Sequence, residues 1–350
     1  MDFNVHNHAG VWVGIVENPT SAIWVRRYQK PGDFELYFPA SAEMLALLVD
    51  DFCIARDDAP EAMIIEHIEI ITSAEEGNYI LVSGRGAESI ISRRIVQEQT
   101  ILTGRVDAAV HRLIRENAIA PADPARALPL TMHAPDVSTA TVRAQHTGTN
   151  LLDAVEEICK ANGLGFRCVG DATDDGIALR IELLLGLDRS EGQNVRSPVI
   201  FSAEFENLLS SSYVMDTTNY KNVAIVAGEG EGKARKRATY GSASGMARRE
   251  IYVDARDLST NEGEISADDY TAQLVARGAE KVAEHSIAEA FDGVMDTGNT
   301  YVLDVDYTLG DIVTVENEYG IRKNVRISAI KEIWDAEGYT AEPIFENVEV

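Results

Sequence analysis

Several groups of residues in this chain have types and spacings that suggest chemistry, and each also has a plainer structural reading. Gly228-Glu229-Gly230-Glu231-Gly232-Lys233 imitates a phosphate loop. Such a loop needs GxxxxGK followed by Ser or Thr, so that backbone N–H groups, the lysine and the hydroxyl converge on phosphates. Here Ala227 stands at the first glycine position and Ala234 at the hydroxyl position, and Glu229 and Glu231 would repel an anion. The stretch therefore reads as a mobile hairpin tip. Asp171, Thr173, Asp175, Gly176 and Glu182 match a calcium loop at positions one, three, five, six and twelve, with Thr at position three. An EF-hand needs flanking helices, whereas strand-like runs flank this loop, and Asp175-Gly176 alone accounts for a hairpin turn.

The remaining candidates are weaker. His6 and His8 share a face of an extended segment and could take a metal together, but no third ligand is evident. His67, His111, His133, His146 and His285 are dispersed. Cys53, Cys159 and Cys168 form no CxxC pair, and Cys159 lies on a helical apolar stripe, where an inert core thiol is the default. No serine sits in a GxSxG elbow. Trp12, Trp24 and Trp334 occupy strand-like contexts, which favours core or subunit-interface packing over sugar stacking. The sequence assigns no catalytic, cofactor-binding or metal-binding residue.

The elements that must position these residues read more clearly. Ile23 to Tyr28 and Phe34 to Phe38 are short, aromatic and β-branched, split by the turn signal Gln29-Lys30-Pro31-Gly32-Asp33. Met63 to Ile71 joins Tyr79 to Ser83 through a hairpin at Glu76-Gly77-Asn78. Between these pairs, Ala42 to Val49 predicts a short helix capped by Ser41. In the middle, Val106, Ala109, Val110, Leu113 and Ile114 recur at helical spacing, and Ala118 to Pro129 reads as an extended connector. Asn150 to Gly163 predicts a helix that Thr149 or Asn150 starts and Asn162-Gly163 stops. Phe166 to Val169 and Ile177 to Leu185 read as strands. Strands follow at Ser211 to Val214, Asn222 to Ala227, Thr239-Tyr240 and Glu250 to Val253. One long helix then starts at the Ser266 cap, with Tyr270, Leu274, Val275, Ala279 and Val282 as its stripe. Gly278 inside it costs roughly 1 kcal/mol relative to Ala. Tyr301 to Val315 and Arg322 to Trp334 return to strand. The two ends thus read as antiparallel β-structure, and the centre as helix plus strand.

Composition sets limits. With 350 residues, 45% hydrophobic and 25% charged, the chain is globular and long enough for more than one core. A formal net charge of -26 argues against gripping nucleic acid by neutralising phosphates, yet suits a passage along which DNA slides without sticking. The odd cysteine count suits a reducing compartment. The first residues lack the basic and apolar regions of a signal peptide, and no apolar run approaches the roughly 20 residues of a membrane helix. The expectation is a protein made soluble in a cytoplasm.

In this order, Trp24, Arg26-Arg27-Tyr28 and Pro31-Gly32-Asp33-Phe34-Glu35-Leu36, then Gly84-Arg85-Gly86 with Arg93-Arg94-Ile95-Val96, resemble the tail-hub proteins of long-tailed phages of Gram-positive hosts. Asn219-Tyr220-Lys221-Asn222-Val223, Arg248-Arg249-Glu250-Ile251 and Tyr307-Thr308-Leu309-Gly310-Asp311-Ile312-Val313 extend the resemblance over nearly the whole chain. It implies a β-rich α+β fold with two antiparallel β-barrel-like hub domains bracketing smaller α/β domains. The corresponding boundaries are 1–104 for the N-terminal hub domain, 105–205 for the α/β middle region, and 206–350 for the second hub domain with its long helix at about 266–284. It also implies a homotrimeric ring at the tail tip or baseplate of the virion, assembled in the host cytoplasm. The expected partners are the tail tube and distal tail proteins, and tail fibres or receptor-binding proteins. Genomic DNA would pass through the lumen without specific binding, and no cofactor is expected. Many relatives carry a C-terminal peptidase or fibre extension, so wall-degrading activity is expected in another polypeptide. Two other readings stay open: a tail-associated cell-wall hydrolase, which needs a nucleophile with its base or a three-ligand metal site, and a carbohydrate- or receptor-binding module, which needs aromatic platforms on loops.

Overall fold

The computed structural model describes residues 1–73, 77–261, 264–295 and 300–348. Period-two patterning builds the first strands. In Asp33–Pro39, Phe34, Leu36 and Phe38 are buried while their neighbours are half-buried or exposed, as expected of a strand with one face on a core. Ser21–Arg27 pairs with it antiparallel, and the Pro31-Gly32 turn lies between them. Ala62–Ser73 and Gly77–Gly86 form a long antiparallel pair. Glu76, placed in that turn by the sequence, lies outside the described residues.

These strands belong to one large sheet. Its order is Ile200–Ser202, Ile312–Glu316, Arg322–Asp335, Ser21–Arg27, Asp33–Pro39, Gly77–Gly86, Ala62–Ser73, Cys53–Ala55, Asp2–His6 and Trp12–Glu17, with Gly338–Asn347 added to Arg322–Asp335. The N-terminal half of the sheet rolls over its own core. Phe3 and Trp24 stand on strands well separated in that order, yet their rings lie 5.9 Å apart. Leu36, Phe38, Ile54, Ile65, Ile80 and Val82 fill the same core. A second core under the C-terminal half gathers Val199, Phe201, Tyr307, Val313, Val315, Ile327 and Phe345.

The expectation of two separate barrel-like domains is corrected here. No sheet closes into a barrel, and the two ends of the chain merge into one sheet. Arg322–Asp335 joins them. Its residues 322–326 pair with Ile312–Glu316, and its residues 329–334 pair with Ser21–Arg27 on the same edge. Gly338–Asn347 lines the opposite edge. A strand of 14 residues is long enough to serve both halves at roughly 3.4 Å per residue. Strands take 44% of the chain and helices 20%, so the β-rich α+β class holds without the barrels. The stretch predicted as strand from Tyr301 is also shorter: only Ile312–Glu316 is extended, because Asp304 and Asp306 tie residues 302–308 into turns.

The four α-helices fall where the periodicity places them. In α1 (Ala42–Leu47) Ser41 Oγ accepts from Met44 N at 3.1 Å. α2 (Val106–Ile114) and α3 (Leu151–Ala161) bury their apolar stripes in a middle core with Phe166, Cys168 and Ile181. Asn150 Oδ1 caps α3, accepting from Leu152 N at 2.9 Å. Gly163, at φ +66, ends it in the left-handed region. α4 (Ala267–Ala283) is capped by Ser266 and packs on the strands Val223–Ala227, Arg237–Tyr240 and Glu250–Asp254. Gly278 sits at that contact: a Cβ there would lie 2.9 Å from Tyr240 Cβ and 3.0 Å from Val226 Cγ2. The helix accepts the glycine penalty because only a bare backbone lets it approach the sheet. An antiparallel ribbon of Leu208–Asp216 and Ala288–Met295 carries this small unit.

Tyr28 ties the halves to the middle region. Its backbone N–H donates to Ser328 O and its carbonyl accepts from Phe166 N. Its hydroxyl accepts from Gly186 N at 2.9 Å and lies within hydrogen-bond reach of Gly163 O and Leu184 O. Glycines clear space for the ring: a Cβ on Gly165 or on Gly310 would come within 2.2 Å of it. Gly165→Ala should therefore destabilise the chain by at least about 2 kcal/mol, the scale of overpacking in a tight core. Urea unfolding followed by far-UV circular dichroism measures this directly.

Candidate functional site

The residues that suggested chemistry do not converge. Gly228 to Lys233 links two strands, and its base is tied down. Arg235 turns inward to donate to Gly228 O and Ala227 O, and the Glu229 carboxylate accepts from Thr260 N and Oγ1. Gly228 is bare because a Cβ would meet the Tyr270 hydroxyl at 2.2 Å. In the predicted calcium loop, Gly165–Thr173 and Gly176–Leu184 are paired strands. Arg180 holds Asp171 at 2.5 and 2.8 Å, and Glu182 binds Arg167 and Arg180. The first and twelfth positions thus face arginine. Gly176 serves a close approach, since its Cβ would fall 2.1 Å from Gly10 O. The strand Asp2–His6 ends at His6, which is buried, while His8 is exposed with its ring edge-on to Phe52 at 5.1 Å. Among the described residues no group of three or more His, Cys, Asp or Glu could hold a metal ion.

All three thiols are free and buried. Burial pushes Cys53 up to about 12 and raises Cys159 and Cys168 further, so none is a nucleophile near neutrality. Of the tryptophans, Trp24 is fully buried, Trp334 packs beside the N-terminal core, and Trp12 is half exposed on the terminal strand of the sheet.

What the structure does assemble is a buried charge network at the joint between the halves. Arg56 donates through both Nη atoms to Glu332 at 3.2 Å, and through Nε and Nη2 to Asp58 at 2.8 Å. Its guanidinium lies 4.4 Å from the Trp334 ring centroid and 5.4 Å from that of Trp24. Arg26 reaches Asp304 at 3.0 Å, Glu332 at 3.4 Å and Glu61 at 4.0 Å. Arg167 of the middle region meets Glu61 at 3.1 Å, and the Tyr339 hydroxyl donates to Glu332 at 3.2 Å. Burial opposes the Arg26 charge, but Glu61, Asp304 and Glu332 outweigh it and hold its pKa above the ordinary value. Sequence reading missed this cluster. Its signal was weak: Arg26 stands beside Arg27 at the end of its strand, and Glu332 beside Lys331 in a strand with several other charges.

A second polar contact lies between α4 and the middle region. Arg277 binds Asp257 and Gln145 O, and Lys281 binds Glu157. The buried atoms Gln145 Oε1, His146 Nε2, Gln273 Oε1 and Glu280 Oε2 have no hydrogen-bond partner there. Burial pushes Glu280 up to about 7 and His146 down to about 4. Glu88, fully buried and accepting from Gly32 N and Cys168 N, is likewise pushed up to about 7 by burial.

Two predictions follow from these groups. Glu332→Ala leaves Arg26 and Arg56 buried against a missing partner and should cost about 3–5 kcal/mol. Glu66→Ala removes an exposed pair with Arg85 and should cost under about 1 kcal/mol. Paired urea titrations decide between these magnitudes. For pH, the raised carboxyls of Glu88 and Glu280 give stability that is present below the ordinary glutamate pKa of 4.5 and lost as pH rises through about 7. The lowered His146 gives stability that is present above 6.5 and lost as pH falls toward about 4. Stability should therefore change little between pH 8 and about 7, climb as pH falls from about 7 toward 4.5, and flatten in slope below 6.5, where His146 opposes the two carboxyls. Glu280→Gln should shallow the climb, and His146→Gln should remove part of the flattening, both read from urea midpoints across pH.

The chain matches the Siphovirus ReqiPepy6 Gp37-like protein family over residues 2–345. No curated protein matches it. Among solved structures it is similar to a 43 kDa tail protein of prophage MuSo2 from Shewanella oneidensis, with TM-score 0.60, 11% identity, 99% of this chain and 98% of that one covered. It is also similar to a tail protein of Neisseria meningitidis MC58, with TM-score 0.53, 13% identity and coverage of 99% and 96%. A third is prophage tail protein gp18 from Listeria monocytogenes EGD-e, with TM-score 0.52, 12% identity and coverage of 100% and 96%. At such identities the likeness speaks for the fold. The phage-tail resemblance read from the sequence thus holds, and the chain belongs to the Siphovirus ReqiPepy6 Gp37-like protein family, a family of siphovirus tail proteins.

Proposed function

We propose that this chain is a structural subunit of the virion tail tip or baseplate, forming a homotrimeric hub ring that caps the tail tube, carries fibres or receptor-binding proteins and lets DNA pass. The observation that carries this reading is the end-to-end fold match to prophage tail proteins, with 99% of the chain and 98% of the Shewanella oneidensis protein covered. The architecture fits the role. Two rolled β-halves share one strand, so each subunit offers two comparable β-surfaces at a fixed separation, which lets a threefold ring meet a tube of higher symmetry. The net charge of -26 suits a lumen that DNA crosses without adhering, and part of the Asp and Glu excess is assigned to that lumen. The limits 1–104, 105–205 and 206–350 are kept as proposed segments of the subunit and not as separately folding units, since the large sheet takes strands from all three.

The cell-wall hydrolase reading requires a nucleophile with its base, or a metal centre. The buried thiols and scattered histidines give it no support, and we propose a non-catalytic role.

Light scattering on the purified chain should give about three times its 38.2 kDa mass, and particle images should show a ring with a central opening. A monomer that stays monomeric with tail-tube protein added would defeat the ring. A zymogram on host cell walls should show no clearing; a clear band would restore the hydrolase.

A further inference from the structure

The strand Trp12–Glu17 ends the large sheet. One side pairs with Asp2–His6. On the other side, Val11 and Trp12 form a short backbone bridge to Asp175 and Gly176, and beyond it no strand pairs among the described residues. The run Val11-Trp12-Val13-Gly14-Ile15-Val16 contains no charge and no proline. Trp12, Val13 and Ile15 are 49%, 37% and 43% exposed. Natural edge strands are normally guarded by charge, proline or a covering side chain, because a bare edge recruits another strand.

Other edges of this molecule carry such guards. Gly338–Asn347 has Pro343 between Glu342 and Glu346. The edge of Ile200–Ser202 is filled by Asn207, whose side chain bonds Ile200 O and Ser202 N at 2.9 and 2.8 Å. A second unguarded edge exists on the C-terminal half. Leu208–Asp216 pairs on one side only, within its two-stranded ribbon. Its run Ser210 to Met215 is uncharged, and Val214 and Met215 are 51% and 58% exposed.

We infer that the edge Trp12–Glu17 of one copy pairs with the edge Leu208–Asp216 of the next copy, and that this contact joins subunits of the ring. The inference rests on the hub-ring reading above and names its contact. Copies carrying a net charge of -26 repel wherever their acidic surfaces face, so they meet at low cost where both surfaces are uncharged. Each edge has a side on which no strand pairs among the described residues and apolar side chains beside it, which suits the addition of another strand. The two edges differ and lie on different halves. Joining one to the other is a head-to-tail contact, which gives a ring when its rotation closes and a filament when it does not, whereas an edge joined to itself gives only a twofold pair.

The buried native thiols make cysteine pairing a clean test, since new surface cysteines would be the reactive ones. The full chain carrying both Val13→Cys and Val214→Cys is oxidised at high concentration and run on a non-reducing gel. Expected is conversion of most of the chain to covalent dimers and trimers, while each single variant stays monomeric on the gel. Covalent dimers from Val13→Cys alone would mean self-pairing and overturn the inference. So would the absence of any product from the double variant, or product only when tail-tube protein is added and linked. The unmodified chain is weighed by light scattering in parallel. A trimer there, with no covalent product, sinks only this contact; a chain that stays monomeric both there and with tail-tube protein added sinks the ring reading as well. Val13→Lys with Ile15→Lys supplies a second measure: it should return a trimer to monomers that keep the far-UV circular dichroism of the folded chain.

Discussion

Ionised side chains withdrawn from water at the joint of the two β-halves fix how the rest of this molecule is arranged. Arg26 and Arg56 come from the N-terminal half, Glu332 and Asp304 from the C-terminal half, and Arg167 from the middle region. Burying such groups is costly, and their mutual attraction compensates only when the geometry is right. An apolar core tolerates sliding and repacking far better. Here Trp24 stands opposite Glu332 in the pairing of Ser21–Arg27 with Arg322–Asp335. A slip of one residue would turn Glu332 to the other face of the sheet and strand two buried guanidinium groups. The cluster therefore acts on register more than on total stability, and it acts at the one strand that both halves share.

Tyr28 complements this with shape. Its ring is fully buried, and Gly165 and Gly310 approach it so closely that neither can carry a side chain. Gly310 also sits at φ +93, a conformation that favours glycine. The hydroxyl binds backbone groups of the middle region, and the Arg326 guanidinium stands 5.1 Å from the ring. The joint is thus held by two unlike devices, one electrostatic and one steric. The α4 unit is held differently. It meets the middle region through Arg277, Lys281 and several buried polar atoms without partners, and it hangs on a two-stranded ribbon. A buried polar atom left without a hydrogen bond costs free energy, so this contact adds less to stability than a fully satisfied one would.

The sequence made local structure legible and left long-range pairing hidden. Ser41, Asn150 and Ser266 announced helix starts because a cap is a contact between residues two or three apart. The Asp171 to Gly176 stretch announced a hairpin for the same reason. Nothing local in Arg322 to Trp334 says that its second half pairs with Ser21–Arg27, some 300 residues earlier. The separate barrels failed at that point, because period-two patterning shows that a strand has a buried face but not which strand lies beside it. Gly278 looked like a flaw in a helix until the facing residues Tyr240 and Val226 were placed. The calcium spacing was real as spacing, but Arg180 lies two residues from Glu182 and across the hairpin from Asp171, and it claims both carboxylates. The charge network was not legible, since Arg26 stands beside Arg27 and its partners Glu61, Asp304 and Glu332 are far along the chain.

Charge inside and charge outside are linked in this chain. It has 31 Lys and Arg against 57 Asp and Glu. Several arginines, among them Arg26, Arg56 and Arg277, are spent on internal ion pairs. Those pairs are close to neutral in sum, so the excess of -26 is carried by carboxylates that remain in contact with solvent. At physiological salt the field of an exposed charge fades over about 8 Å, which is shorter than the width of the molecule. Passing DNA would therefore respond to the residues lining its path and not to the net charge of a distant face. The same range applies to contacts between copies. In the proposed ring a like-charged copy would gain nothing from long-range attraction to its neighbour, and association would rest on contacts at short range. That is the physical reason to look for the working surfaces of this protein at its uncharged sheet edges.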